Sequence, residues 1–164
     1  MILYILIIVF AVAADQLTKA WAVSALTEIT TMPVIEDVFH FTYVENRGAA
    51  FGMLSEHRWI FMILSVAGIA GLFLWMMFDK SLERPMKVIL AMIVGGGIGN
   101  MIDRVLLGYV VDFIDCRFID FYVFNVADSF VTVGCFLFVI IAAVPEVKKL
   151  IGKKSAESDG EANE

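Results

Sequence analysis

A chain of 164 residues that is 60% hydrophobic, with a mean hydropathy of +0.85, is too apolar for a soluble domain, where apolar residues make up roughly 45–50%. Its apolar stretches each claim the roughly 20 residues that a membrane helix requires, which leaves no length for a second domain. The formal net charge of −6 would suit a basic partner, but four of the acids crowd the polar C-terminal tail; no nucleic-acid partner is expected.

The expected fold is an all-α membrane protein of four transmembrane helices with a small extracytoplasmic β-sheet and loop at the outer membrane surface. One domain covers residues 1–152, with spans at about 2–26, 59–78, 86–105 and 126–144. Residues 153–164, crowded with Glu157, Asp159, Glu161 and Glu164, are expected to be a disordered tail.

The first span runs uncharged from Ile2 to Ala14, then meets Asp15, Gln16 and Lys19 before ending near Leu26. Ala11-Val12-Ala13 imitates a signal-peptide cleavage site, but no basic residue precedes the apolar core, so retention is expected. A continuous helix brings Asp15 and Lys19 together at i, i+4. Residues 38 to 44, Val-Phe-His-Phe-Thr-Tyr-Val, have the β-branched and aromatic composition of a strand. Asn46-Arg47-Gly48-Ala49-Ala50-Phe51-Gly52 reads as a turn that permits close approach.

The second span, Trp59 to Phe78, carries no charge, and its Gly68 and Gly71 are expected to allow close helix contact. The third starts around Pro85, tolerated in a first helical turn, passes through Gly95-Gly96-Gly97-Ile98-Gly99-Asn100 and closes on Asp103-Arg104. That glycine cluster resembles a nucleotide fingerprint only superficially, because no strand precedes it; helix packing is the expected role. Residues 109 to 124 are again aromatic and strand-like, and the fourth span runs from Val126 to a stop at Pro145. Cys116 and Cys135 have no framework spacing and are expected to be isolated thiols.

Orientation follows from the basic residues. Lys80, Arg84 and Lys87 lie between spans two and three, and Lys148, Lys149, Lys153 and Lys154 follow span four. Those segments, and with them both termini, are expected on the cytoplasmic side. The remaining polar groups then gather on the opposite face: Asp15, Lys19, Asn46, Asn100, Asp103, Arg104, Asp112, Asn125 and Asp128. Acids near hydrocarbon are costly and mark functional sites by default. Asn125 and Asp128 also have a plainer reading as a capping box, and Asp103-Arg104 as a structural pair at a helix end. Convergence on one face, which independent caps do not require, favours a site built on Asp112 and Asp128. His40 and His57 lack metal-like spacing, so neither metal nor cofactor is expected.

Together, Asp15-Gln16 with Lys19, Asn46-x-Gly48-Ala49-Ala50-Phe51, Gly99-Asn100-x-x-Asp103-Arg104, Val111-Asp112-Phe113 and Phe124-Asn125-x-Ala127-Asp128 resemble the lipoprotein signal peptidase family, in the family's order and over most of the chain. Two departures are mild: Gly52 stands where many relatives have serine, and Arg47 fills a variable position. The resemblance implies an aspartic endopeptidase of the bacterial cytoplasmic membrane, with catalytic Asp112 and Asp128. It gives supporting or substrate-binding roles to Asp15, Lys19, Asn46, Gly48, Asn100, Asp103, Arg104, Asn125 and Ala127. The implied substrates are prolipoproteins, cleaved on the amino side of a diacylglyceryl-modified cysteine, and the implied enzyme is monomeric among membrane lipids.

Two carboxylates about 4 Å apart repel by roughly 4 kcal/mol at an effective dielectric near 20, on the order of three pKa units. Such a pair is expected to share one proton and activate water. Two alternatives compete. One is a small membrane cation-binding or transport protein using the Asp/Asn cluster as an ion site; the other pairs Ser129 with Lys19 as nucleophile and base.

Overall fold

The computed structural model describes residues 1–48, 58–119 and 121–161. Ala49, Ala50, Phe51 and Gly52 of the turn motif, together with His57, lie outside them. The elements in chain order are α1 (Ile2–Leu26), β1 (Thr31–Ile35), β2 (Phe39–Asn46), α2 (Arg58–Phe78), α3 (Arg84–Leu106), β3 (Val110–Cys116) and α4 (Val126–Glu161). A 3-10 turn at Arg117–Ile119 follows β3. Three helical segments, Ile2–Leu26, Arg84–Leu106 and Val126–Ala143, are long and apolar enough to cross a membrane, and α2 contributes an apolar helix over Met62–Phe78.

The central element is α3, which packs against α1, α2 and α4. Its glycines make this possible where they meet α1 and α4. A Cβ at Gly96 would sit 2.5 Å from the Ala127 carbonyl oxygen, and one at Gly99 would sit 2.6 Å from Asp15 Oδ2 and 3.3 Å from the Ala127 Cβ. Glycine inside a helix costs roughly 0.5–1 kcal/mol against alanine; here it allows the backbone approach on which helix association in lipid depends. Gly68 and Gly71 of α2 do not play the part expected of them, since a Cβ at either meets no described atom within 4 Å.

On α1 the buried residues are Ile8, Ala11, Asp15, Lys19, Ala22 and Leu26, spaced by three or four and hence on one helical face. The apolar members pack at either end of that stripe: Ile8 joins Met76, Leu90, Ala91 and Val94, while Ala22 and Leu26 join Val111 and Phe113. Asp15 and Lys19 are left between two dry clusters, facing α3.

The sheet has the order β1-β2-β3, both pairs antiparallel. β1 was not apparent in the sequence, because Pro33 interrupts it; it is an edge strand, where proline is tolerated. In β3, Val111 and Phe113 face α1, so period-two alternation turns Asp112 the other way. α4 continues through Pro145 to Glu161. Pro145 therefore ends the apolar span and not the helix, and residues 153–161, expected to be without structure, carry helical backbone.

Candidate active site

The site is assembled from the middle of α1, the last turns of α3, the start of α4 and the facing strands. At its base, Lys19 Nζ lies 2.9 Å from Asp15 Oδ2 and 3.0 Å from Asp103 Oδ2, and donates to Asn100 Oδ1 at 2.9 Å. All four residues are buried. Buried charges persist only when paired and hydrogen-bonded, and here the remaining lone pairs are filled. Asp15 Oδ1 accepts from the Ala127 amide at 2.9 Å, and Asp103 Oδ2 from the Val111 amide at 3.0 Å. One lysine thus ties α1 to α3, while its two carboxylates fix the start of α4 and the second residue of β3.

Above this base, Asn100 and Asn125 pass the network on. Asn100 Oδ1 also accepts from Asn125 Nδ2 at 3.0 Å, and Asn100 Nδ2 donates to Asp128 Oδ1 at 2.7 Å. Asn125 Nδ2 donates to Asp112 Oδ1 at 2.6 Å, and Asn46 Nδ2 donates to Asp112 Oδ2 at 2.9 Å. The Gly48 amide in turn donates to Asn46 Oδ1 at 3.2 Å, orienting that amide group.

The plainer reading of Asn125 and Asp128 is correct as geometry. Asn125 Oδ1 accepts from the Asp128 amide at 2.8 Å, and Asp128 Oδ2 accepts from the Asn125 amide at 3.3 Å. This is a reciprocal capping box. It does not compete with a chemical role, because the cap uses Asn125 Oδ1 and leaves its Nδ2 for Asp112.

Asp112 is 1% exposed, whereas Asp128 is partly open. Burial pushes the Asp112 carboxyl from an ordinary 3.8 up to about 7. The Asn46 and Asn125 hydrogen bonds and the Lys19 charge oppose the rise, and the negative charge of Asp128 adds to it. A carboxyl that titrates near neutrality beside a second acid can hold or release a proton under working conditions.

The plainer reading of Asp103 and Arg104 as a structural pair does not describe Asp103, whose carboxylate faces Lys19. Arg104 Nη1 donates to the Asn100 carbonyl oxygen at 3.3 Å, and the guanidinium lies within electrostatic reach of Asp128, Asp112 and Asp103. Gln16 was given no role. Its Nε2 donates to Asp15 Oδ2, the Gly99 carbonyl and Asp103 Oδ1 at 3.2, 3.2 and 3.0 Å. Its place beside Asp15 was the available signal, since a long amide next to a buried acid reaches the same partners. Ser129 Oγ donates to the Asn125 carbonyl at 3.1 Å, a helix-internal bond that does not direct it toward Lys19. Among the described residues, no three His, Cys, Asp or Glu side chains converge as a metal-holding group.

Comparison with known proteins fits this arrangement. A family model described as Signal peptidase (SPase) II matches residues 7–144. A lipoprotein signal peptidase of Clostridioides difficile (strain 630) is 49% identical over 133 residues, 80% of this chain and 88% of that protein. One from Caldanaerobacter subterraneus subsp. tengcongensis is 51% identical over 134 residues, 81% of this chain and 90% of that protein. A bacterial membrane enzyme solved by the in meso method at 2.3 Å superposes with a TM-score of 0.80 at 36% identity, covering 91% of this chain and 92% of the other. With the apolar helices, these similarities identify a bacterial membrane protease: the chain belongs to the signal peptidase II family, the lipoprotein signal peptidases.

Proposed function

We propose that this peptidase is of the aspartic type, with Asp112 and Asp128 as a dyad that activates water. It removes signal peptides from prolipoproteins by cutting on the amino side of a diacylglyceryl-modified cysteine. The observation that carries this reading is the bridge through Asn125, whose side chain holds Asp112 at 2.6 Å while its backbone amide holds Asp128 at 3.3 Å.

In the mechanism that follows, Asp112 carries the shared proton, consistent with a carboxyl that titrates at about 7. Asp128, in the first turn of α4, is the second member of the pair and acts as the base. Asp128 takes a proton from water as the oxygen attacks the scissile carbonyl. Asp112 hydrogen-bonds the carbonyl oxygen and later protonates the leaving nitrogen. Asn46, Asn100 and Asn125 keep both carboxyl groups oriented, with the Gly48 amide donating to Asn46 and the Ala127 amide to Asp15 in the base. Asp15, Lys19, Asp103 and Arg104 brace the elements beneath.

The membrane arrangement belongs to the same proposal. Four helices span the bilayer as one domain over residues 1–152, both termini are cytoplasmic, and the sheet with the dyad lies at the outer face. The enzyme works as a monomer, and a lipid-modified substrate reaches the site through the bilayer. The ion-site alternative is disfavoured by Lys19, whose ammonium already occupies the position among the Asp15, Asp103 and Asn100 oxygens where a bound cation would sit.

The test is reconstitution of purified protein with a diacylglyceryl-modified prolipoprotein, comparing wild type with Asp112→Asn, Asp128→Asn and Ser129→Ala, with and without chelator. Cleavage is expected to vanish in the two aspartate variants only. Activity retained in either would remove the mechanism, activity lost in Ser129→Ala would revive the serine reading, and chelator sensitivity would favour a metal.

A further inference from the structure

Asn46 reaches Asp112 only because of an irregularity in the sheet. Phe41 pairs with Ile114 and Val44 with Asp112, so β2 takes three steps where β3 takes two. This is a bulge that places two β2 residues, Thr42 and Tyr43, opposite Phe113. Bulges re-aim the side chains that follow them, and a strand that slips by one residue turns every later side chain to the opposite face. Without the extra residue, Asn46 would face away from Asp112.

A polar contact sits at the start of the bulge. Thr42 Oγ1 donates to Asp115 Oδ2 at 2.7 Å, and Thr31 Oγ1 of β1 donates to Thr42 Oγ1 at 3.2 Å. Asp115 is 8% exposed and also accepts from Arg117 Nε at 3.1 Å, and its cross-strand neighbour is His40. None of these side chains hydrogen-bonds the Asp112 and Asp128 network. A buried carboxylate three residues along β3 from Asp112, held by a hydroxyl inside the bulge, has no part in the mechanism above.

We propose that Thr42 and Asp115 are positioning residues: their cross-strand hydrogen bond fixes the β2 bulge that delivers Asn46 to Asp112. The proposal rests on the aspartic reading for its consequence in catalysis, but its structural content does not. The Asn46 hydrogen bond holds the Asp112 carboxyl lower than burial alone would. Releasing the latch must therefore raise the pH at which Asp112 loses its proton. The charged groups facing Asp112 are Asp128 on α4, Lys19 on α1 and Arg104 on α3, and the latch variants change none of them.

The experiment is infrared titration of the carboxyl band in the full-length protein in lipid, the Asp112 contribution being identified by its loss in Asp112→Asn. Thr42→Val, Thr42→Ser and Asn46→Ala are compared with wild type. Thr42→Val is expected to shift the Asp112 midpoint upward by about one pH unit, the order expected when a hydrogen bond to a charged group is lost. Asn46→Ala should do the same, the double variant should shift no further, and Thr42→Ser should titrate as wild type. Asp115→Ala repeats the test from β3. Removal of a negative charge alone would lower the midpoint, whereas loss of the latch raises it.

A Thr42→Val protein that titrates as wild type while Asn46→Ala shifts would overturn the proposal, as would additive shifts in the double variant or a lowered midpoint in Asp115→Ala. A prolipoprotein cleavage profile that ignores a shifted Asp112 midpoint would leave the latch standing and remove the dyad.

Discussion

Replacing Asp112 with asparagine is expected to change stability in opposite directions at low and high pH. The carboxyl is 1% exposed and moves from 3.8 to about 7 on folding, so the folded state binds its proton more tightly than the unfolded chain. Its favourable contribution is fully present below 3.8 and is lost as pH rises to about 7. Above that, keeping the charge buried costs about 4 kcal/mol, from roughly three units at about 1.4 kcal/mol each. At pH 5 the cost is about 1.5 kcal/mol on the same scale.

Asparagine removes that cost, but it offers one accepting oxygen where Asp112 presents two, one each to Asn46 and Asn125. One of the two amide groups then faces the new Nδ2 donor instead of an acceptor, at about 1–3 kcal/mol. Asp112→Asn should therefore be less stable than wild type below about pH 4.5 and more stable by about 1–3 kcal/mol at pH 8, crossing between about pH 4.5 and 6. For a chain of this size that is a rise of about 2–10 °C in Tm at pH 8. Thermal unfolding followed by tryptophan fluorescence in detergent from pH 4.5 to 8.5 measures it. A variant destabilised equally across that range would refute the claim that Asp112 is held in its site as the protonated acid.

The same carboxyl sets the pH dependence of cleavage: the rate should fall as pH rises through about 7, measured as initial rates on a diacylglyceryl-modified prolipoprotein, and an unchanged rate to pH 9 would contradict an Asp112 acid. Lys19→Met strands Asp15 and Asp103 as uncompensated buried carboxylates and is expected to cost about 3–5 kcal/mol, seen as a lowered Tm and lost cleavage. Gly99→Ala should cost about 1–3 kcal/mol through overpacking, because its Cβ would fall 2.6 Å from Asp15 Oδ2. Gly68→Ala, which meets no described atom within 4 Å, should stay within about 0.5 kcal/mol of wild type, and paired unfolding curves in the same detergent compare the two.

The helices were legible because their physics is local. Uninterrupted apolar runs near Ile2, Trp59, Val88 and Val126 identify helical segments, and the β-branched and aromatic run at 38 to 44 identifies a strand. Spacing on one helix also predicted correctly that Asp15 and Lys19 meet, an i, i+4 pair at 2.9 Å. Sequence distance misled where partners lie far apart. Asp103 pairs with Lys19 across 84 positions. Gly68 and Gly71 looked like contact residues and face open space, while β1 escaped notice because an edge strand can carry Pro33.

By itself, the sequence determined that the chain is a membrane protein and, through the ordered motifs from Asp15 to Asp128, its family. Tertiary structure decided which oxygen faces which donor. It made Asn125 at once a helix cap and the bridge between Asp112 and Asp128, gave Lys19 two carboxylates, and used a bulge in β2 to turn Asn46 inward. The reason is that burial and hydrogen-bond direction depend on elements brought together from distant parts of the chain, whereas hydrophobic length and helical spacing are written within each segment.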